Sequence, residues 1–358
     1  MISWFQRYLL PGFVFQSMII AGGYGTGREL VEFFLKYGPV GGLLGMLLPA
    51  MLLMSIFCAI AFELARLTKS YDYRTFLKQL LGRFWFLYEI AYLTAIILIL
   101  AVVGAAAGAL LAGTFGLSGN IGTIGLLTVI AFLVFKGTGV IEGFLSIWSF
   151  VLYAVYIAVF VLSLVHFGPV IRESLSSAPA VEGWFSSGFR YGALQLSLVP
   201  AMLFATAHIK ERREALIAGV LAGPIAILPG ILFFLAMLGQ YPAVVDQAVP
   251  ANYVLGLLGS PALQVTFQVV LIGTFIETGT GVIHAFNERL AATFNSLNKS
   301  MPNIVRPLIA AALLVLALML SRFGIIDLIA TGYNALSLVF IVVLVVPLLT
   351  IGLWKITR

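Results

Sequence analysis

The sequence predicts an all-α integral membrane protein with ten transmembrane helices, and three observations support that prediction. Hydrophobic residues make up 61% of the 358 residues and charged residues only 9%, whereas about a quarter of the residues in soluble domains are charged. The apolar runs are long and continuous, which is typical of helices and not of the alternating strands of a membrane barrel. Lysine and arginine are concentrated in alternate loops. A chain with so little charge cannot cover a water-facing surface, so we expect it to lie in a lipid bilayer.

Ten segments are apolar over about the 20 residues that a helix needs to cross the hydrocarbon core. We expect the first to be retained, because no cleavage-site pattern follows it. With the amino terminus in the cytoplasm, the inner segments contain 15 of the 20 lysines and arginines. This asymmetry predicts a protein of the cytoplasmic membrane with both termini on the cytoplasmic side. The predicted spans are 8–34, 41–65, 84–115, 121–135, 139–166, 190–209, 214–240, 261–287, 304–321 and 324–353.

The first predicted span is interrupted in its middle. Residues 19–34 read IIAGGYGTGRELVEFF, with four glycines in six residues and charges directly after them. A packing seam between membrane helices needs a small residue only at every fourth position. The higher density here favours an unwound segment over close helix packing alone. Unwound backbone exposes amide and carbonyl groups that can hold an ionic ligand.

The sixth predicted span is interrupted as well. Its sequence GALQLSLVPAMLFATAH, residues 192–208, places Pro200 in mid-span, although a proline by itself can also be a simple kink. Spans one and six enter the membrane from opposite sides, and paired interruptions are the best sequence indication of an inverted-repeat transporter. We therefore predict one transmembrane domain, 1–358, with a five-plus-five inverted repeat at about 8–166 and 190–353. The residues predicted to bind substrate are Gly22, Gly23, Tyr24, Gly25, Thr26, Gly27, Ser197, Pro200 and, in span ten, Tyr333.

Span eight carries an acidic residue in mid-membrane. Glu277 lies on one helix face with a series of small and polar residues spaced by three and four positions. A carboxyl at this depth is costly and marks a functional site by default. It could carry a proton, or it could join hydroxyl groups and backbone carbonyls around a sodium ion. A neutral glutamic acid that only holds two helices together is the alternative. The predicted ion-coupling residues are Glu277, Thr274, Thr278 and Thr280.

Charged residues also lie near the outer end of the predicted bundle. Arg28 and Glu29 follow the first interruption by one turn, and Asp327 lies at a comparable depth in span ten. Arg28 could receive a substrate carboxylate, occupy the place of a bound cation, or pair with Glu29, Glu32 or Asp327. Charge pairs across an outer vestibule can act as a gate, and a purely structural ion pair is the alternative. The predicted gate residues are Arg28, Glu29 and Asp327.

Several classes of function receive no support from the sequence. Cys58 is the only cysteine, so the chain can form neither a disulfide framework nor a cysteine metal cluster. The net charge of +6 comes from scattered loop residues rather than a basic face, which argues against nucleic-acid binding. The sequence has no nucleophile elbow, phosphate loop or metal-spaced histidine and cysteine cluster. We therefore expect neither an enzyme nor a bound cofactor, and we expect the partners to be a small-molecule substrate and the lipid bilayer.

Three stretches carry a resemblance to a known family. GGYGTGRELVEFF followed by LKYGP, ETGTGVIHAFNERL in span eight and FGIIDLIATGYNALS at the start of span ten resemble the YkvI-like membrane proteins. That family is grouped with the amino acid–polyamine–organocation superfamily, whose fold is LeuT-like with five-plus-five spans. The resemblance implies that spans one and six bind substrate at their interruptions. It also implies a cation site between the first interruption and the middle of span eight.

These observations predict a secondary active transporter that works by alternating access. The resemblance, more than the residues, implies an amino-acid-like or other small organic solute as the substrate. Coupling to a proton or to a sodium ion is expected, and the sequence leaves that choice and the oligomeric state open. A ligand-sensing receptor subunit on the same fold, as in spore-germinant receptors, and an uncoupled exchanger are the alternatives.

Overall fold

The computed structural model describes residues 4–20, 22–136, 141–177, 179–296, 301–302 and 304–358, and every regular element within these ranges is a helix. Six helical stretches of the described residues are long and apolar enough to cross a membrane: Pro39–Thr68, Tyr73–Phe115, Ala154–Ser176, Arg212–Leu238, Pro261–Ala291 and Gly324–Thr357. Three further helices are apolar but shorter: Leu10–Ile19, Gly119–Phe135 and Val305–Ser321. The predicted all-helical class is therefore confirmed, while the count of ten spans stays a prediction.

The helices are numbered here in chain order. They are α1 (Trp4–Tyr8), α2 (Leu10–Ile19), α3 (Gly22–Gly25), α4 (Arg28–Phe33), α5 (Pro39–Thr68), α6 (Tyr73–Leu81), α7 (Trp85–Phe115), α8 (Gly119–Lys136), α9 (Ile141–Ser177), α10 (Trp184–Leu196), α11 (Val199–Met202), α12 (Arg212–Leu238), α13 (Pro250–Leu257), α14 (Pro261–Ser296), α15 (Val305–Ser321) and α16 (Gly324–Thr357). The helices α6 and α13 lie outside the predicted spans, and each by itself is too short to cross a bilayer.

The first predicted span, 8–34, is divided into three helices. Between α3 and α4 the backbone turns at Gly27, whose φ of +81° lies in the left-handed region that glycine adopts without strain. Thr26 closes this turn, because its hydroxyl donates to the carbonyl of Gly23 at 2.7 Å and accepts from the N–H of Arg28 at 3.2 Å. A side chain thus satisfies backbone groups that neither helix can satisfy here.

The sixth predicted span, 190–209, begins earlier than expected, at Trp184, and is interrupted near its middle. The helix α10 ends at Leu196, and α11 begins at Val199. Pro200 lies in the first turn of α11, where its missing N–H removes no helical hydrogen bond. The hydroxyl of Tyr88, in α7, donates to the carbonyl of Ser197 at 2.7 Å and so satisfies an acceptor exposed by the interruption.

The helices pack as two groups. In one group α12 packs along α5 and α2, and α10 packs against α5. In the other group α7, α8, α14 and α15 contact one another, and α9 contacts both α12 and α14. The backbones of α5 and α12 approach each other closely at Gly219, where an added Cβ would overlap the backbone of Ala59. Small residues at such a crossing let two membrane helices approach closely.

We predict that Gly219→Ala lowers the stability of the protein. The added methyl group would push α12 away from the backbone of Cys58 and Ala59, and overpacking of this kind costs about 1–3 kcal/mol. Gly125→Ala is the matched control, because Gly125 is an exposed helical glycine with no atom within 4 Å of its added Cβ. Thermal unfolding in detergent should show a lower midpoint for Gly219→Ala only. Equal midpoints for the two variants would contradict the close contact.

Candidate functional site

A cavity of about 260 Å³ lies where the two interrupted segments meet. Residues from α2, α4, α7, α10, α14 and α16 line it, together with Ile20, which follows α2, and Ser197 and Leu198 between α10 and α11. Most of the lining is apolar, as is usual for a small-molecule site with a few polar groups that fix orientation. The polar residues of the lining are Ser17, Glu29, Tyr92, Gln195, Ser197, Glu277, Thr278 and Tyr333.

Glu29 connects the two interrupted segments. Its side chain is almost fully buried, with 3% of the residue exposed. Its Oε2 accepts a hydrogen bond from Nε2 of Gln195 at 3.1 Å, and the backbone N–H of Tyr24 also donates to the carboxyl. An added Cβ at Gly23 would overlap Oε1 of Glu29. The carboxyl group therefore folds back over the first interruption and joins it to α10, one turn before the second interruption.

Glu277 places a second carboxyl group in the same cavity. It lies in α14 and is only partly buried. Within the described part of the chain its carboxyl has no hydrogen-bonding group and no charged partner. Thr278, beside it, also lines the cavity. The lining continues along α14 to Ala285, which at 1.5 Å per residue is about 12 Å from Glu277.

Tyr333 reaches the cavity from an irregular part of α16. The stretch Leu328–Tyr333 is a π-helical turn, and two more such turns follow in the same helix. Wide turns of this type change the direction of the side chains that follow them and are frequent at functional sites. Tyr333 is 5% exposed and lies close enough to Glu29 for an electrostatic interaction.

Arg28, which directly precedes the cavity-lining residue Glu29, is 1% exposed. Its Nη1 donates to the carbonyls of Val245 and Gln247 at 2.7 and 3.0 Å, and its Nη2 lies 3.1 Å from Oε2 of Glu32. The ammonium group of Lys36 contacts the same carboxylate. We call Arg28, Glu32, Val245 and Gln247 the Arg28 clamp. It fastens the segment that leads to α13 over the first interruption.

Arg289, which is 8% exposed, contacts one residue of the cavity lining, Tyr92. Its guanidinium group lies 3.8 Å from the ring centre of Tyr92 and 4.0 Å from that of Tyr73, and Nη1 is 3.8 Å from Oε1 of Glu89. Because Tyr92 lines the cavity, this cation–π contact holds one of the lining rings in place. Nη1 of Arg7 lies 2.8 Å from Oε1 of Glu214 and joins the amino-terminal helix to the start of α12.

The structure brings five predicted residues into the cavity and places the others outside its described lining. Glu29, Ser197, Glu277, Thr278 and Tyr333 line it. Two of the predicted ion-coupling hydroxyls bond to their own helix instead: Thr274 donates to the carbonyl of Val270 at 3.0 Å and Thr280 to that of Ile276 at 2.7 Å. A hydroxyl that donates to the preceding turn is turned along the helix and away from the cavity.

The segment from Gly22 to Gly27 also lies outside the described lining, because its glycines are covered by neighbouring helices. Added Cβ atoms at Gly22 and Gly25 would contact α7 and α14, and one at Gly27 would contact α12. The hydroxyl of Tyr24 lies against Gly230 in α12. Pro200 is likewise absent from the described lining. The glycines thus serve both the interruption of the helix and close packing.

The three predicted gate residues do not pair with one another in the structure. Of the three partners considered for Arg28, the structure uses Glu32, while Glu29 faces Gln195. Asp327 is exposed and lines a second cavity, of about 630 Å³, together with Asn120 and Arg322. Asp327 ends the first turn of α16, five residues after Arg322, and both residues line that second cavity.

Gln195 is the residue of the site that sequence reasoning undervalued. It is 6% exposed and donates to Glu29. The available signal was an amide side chain within an apolar run, two residues before Ser197. A buried amide in a membrane span needs a partner, but the sequence alone did not identify Glu29 as that partner.

Comparisons with known proteins agree with a membrane transporter fold. No family model matches the chain. An uncharacterized membrane protein of Bacillus subtilis (strain 168), YkvI, is 25% identical over 342 residues, which cover 92% of each chain. A manganese transporter of Eremococcus coleocola, solved with an aromatic bis-isothiourea substituted compound, is 17% identical with a TM-score of 0.55. The match covers 96% of this chain and 78% of that one, and a point mutant of the same transporter gives 0.51.

These likenesses show what kind of fold the chain has. At 17% identity the structural match establishes the arrangement of the helices and leaves the substrate open. The predicted resemblance to YkvI is confirmed as a distant sequence relationship to a membrane protein. Relatives that are a membrane protein and a transporter also agree with the prediction that the chain is not an enzyme.

We predict that Arg28→Gln destabilises the protein strongly. The change leaves the carbonyls of Val245 and Gln247 without their donor and removes a buried charge from Glu32. Loss of one partner from a buried ion pair costs roughly 3–5 kcal/mol. Arg322→Gln is the matched control, because Arg322 is exposed. Thermal unfolding should separate the two variants clearly. A midpoint for Arg28→Gln equal to that of Arg322→Gln would mean that the clamp contributes little.

Proposed function

We propose that this protein is a secondary active transporter that binds a small organic solute in the 260 Å³ cavity and moves it by alternating access. The observation that carries the proposal is the position of the cavity, which lies between two interrupted helical segments and contains two carboxyl groups. Substrate sites of transporters with inverted repeats lie at such interruptions near the midplane of the bilayer. Ionisable groups at that depth mark a pathway for substrate or ions.

The proposed topology has ten spans, with repeats at about 8–166 and 190–353. It is supported by the corresponding positions of the two interruptions, after α2 and after α10. The distribution of lysine and arginine supports cytoplasmic termini in the cytoplasmic membrane. In this orientation the Arg28 clamp is on the outer side and Arg289 on the inner side. The transporter fold of the structural neighbours agrees with this arrangement.

The two packing groups suggest the moving parts. We propose that α2, α5, α10 and α12 move together against α7, α8, α14 and α15, because contacts are extensive within each group. The cavity lies between the groups. The Arg28 clamp would then act as the outer gate, closed here. The inner gate would consist of the contact of Arg289 with Tyr92 and the ion pair of Arg7 with Glu214.

For coupling we propose a proton carried by Glu277. Hard metal cations are held by several oxygen ligands, and of the four predicted ion-coupling residues only Glu277 and Thr278 are among the described lining residues of the cavity. A carboxyl group that lines the cavity without a bonding partner can accept or release a proton without breaking a hydrogen bond. Sodium held by Glu277 and Thr278 with backbone carbonyls is the second candidate for the coupling ion.

An organic solute fits this cavity better than a metal ion. The structural neighbour is a manganese transporter, but the described part of this chain contains no group of three or more His, Cys, Asp or Glu residues that could hold a metal. The largely apolar lining suits a hydrocarbon group instead. A receptor subunit on the same fold would bind the same ligand without moving it, and an uncoupled exchanger would move it without an ion gradient.

We predict that Glu277→Gln abolishes uptake driven by a pH gradient and leaves exchange of substrate across the membrane partly intact. The amide keeps the shape of the side chain but cannot carry a proton. The measurement is uptake into proteoliposomes with imposed pH or sodium gradients, using a solute first identified by thermal stabilisation of the purified protein. Glu182→Gln is the matched control, because Glu182 is an exposed loop residue.

Other outcomes of this measurement separate the alternatives. Uptake that follows the sodium gradient and survives Glu277→Gln would exclude the proton role. Wild-type uptake that ignores both gradients would indicate an uncoupled exchanger. A solute that stabilises the protein but never enters the vesicles would favour the receptor.

A further inference from the structure

The charge of the cavity lining points to the chemistry of its ligand. Two carboxyl groups, from Glu29 and Glu277, line it, and none of the described lining residues is Lys, Arg or His. The two nearest guanidinium groups are engaged elsewhere. Arg28 bonds to Glu32 and to the carbonyls of Val245 and Gln247, and Arg289 lies against the rings of Tyr73 and Tyr92 and near Glu89.

At the first interruption, the position where a substrate carboxylate could bind is occupied by the carboxyl group of Glu29. In transporters with interrupted helices, backbone N–H groups at the interruption bind anionic groups of the substrate. Here the carboxyl of Glu29 accepts the N–H of Tyr24 and the amide of Gln195, and its Oε1 covers Gly23. A substrate carboxylate at this position would have to displace that carboxyl group.

A buried carboxylate without a counter-charge is costly, and a cationic ligand removes that cost. Glu29 is 3% exposed, and its bonds come from neutral donors, the Gln195 amide and the Tyr24 N–H. The ring of Tyr333 lies close to Glu29 and can also face a cation. The apolar remainder of the lining, such as Ile20, Ile99 and Val282, suits a hydrocarbon body.

We infer that the cavity binds a small organic ammonium ion through the carboxyl groups of Glu29 and Glu277, and that it does not bind an amino acid through a carboxylate. The inference rests on the proposed transport function and narrows its substrate to amines with an apolar body. The hydrocarbon part lies against α2, α7 and α14, the ammonium group donates to Glu29, and Glu277 adds a second carboxyl group to the lining of the same cavity.

The test compares amino acids with the amines that lack only their carboxylate. Isobutylamine and valine, phenethylamine and phenylalanine, and cadaverine and lysine form matched pairs. Binding to the purified protein is measured by calorimetry and thermal stabilisation. We expect an amine from at least one pair to bind at least tenfold more tightly than its parent amino acid. Tighter binding by the amino acids, or binding by no amine of the panel, would overturn the inference.

Variants of the carboxyl groups make the test specific. Glu29→Gln should weaken amine binding by roughly 10- to 100-fold, the loss expected for a hydrogen bond to a charged group. The amide oxygen of the new side chain can still accept from one of the two donors, Gln195 or Tyr24, so part of the junction is retained. Glu277→Gln, which removes no bond within the protein, provides a second measurement if Glu29→Gln does not fold. Glu182→Gln should bind like the wild type. Unchanged amine binding by both cavity variants would overturn the inference.

Uptake into proteoliposomes separates this inference from the proposed function, with protein-free vesicles correcting for passive entry of the neutral amine. Amines that bind selectively through Glu29 but are not taken up would support the cationic site and overturn transport. Uptake of the amino acids without the amines would support transport and overturn the cationic site.

Discussion

The hydrogen bond between Gln195 and Glu29 is the contact on which the arrangement of the site depends. It joins residues 166 positions apart in the chain, each within one turn of a helix interruption. In the hydrocarbon core of a bilayer a buried amide and a buried carboxyl group cannot form hydrogen bonds to bulk water, so each needs a partner within the protein. The contact explains why glycine is needed at position 23, where any side chain would meet the carboxyl group. It also determines where the cavity lies, because the cavity opens beside this junction.

Irregular backbone at membrane depth survives here because polar side chains take the place of water. The hydroxyl of Thr26 satisfies the carbonyl of Gly23, and the hydroxyl of Tyr88 satisfies that of Ser197. The guanidinium of Arg28 does the same for the carbonyls of Val245 and Gln247. Tyr88 and Arg28 lie far in sequence from the carbonyls that they satisfy, so the irregular backbone depends on the fold around it as well as on local glycine and proline. Non-helical backbone is tolerated in membranes only where protein groups or a cavity satisfy it in this way.

The acidic residues of the site illustrate how environment assigns roles to similar side chains. Glu32 is paired with Arg28 and Lys36 and belongs to a clamp. Glu29, three positions away, bonds to neutral donors and faces the cavity. Glu277 has neither kind of partner among the described residues. Three residues turn a helix by about 300°, so Glu29 and Glu32 lie only about 60° apart around α4, and their different partners rather than opposite helix faces separate their roles. One group is therefore held by charge, one by hydrogen bonds, and one is available to a ligand or a proton.

The sequence by itself determined the all-helical class, the two interruptions and the carboxyl group of Glu277 in the membrane. These properties follow from composition and local patterns, since long apolar runs form helices and dense glycine or a central proline breaks them. Only the tertiary structure decided that Arg28 meets Glu32, that Glu29 meets Gln195, and that Thr274 and Thr280 bond to their own helix. The physical reason is that the sequence left several partners possible for the same side chain. The rotation of each helix and the packing of its neighbours selected one of them, and neither can be read from local spacing.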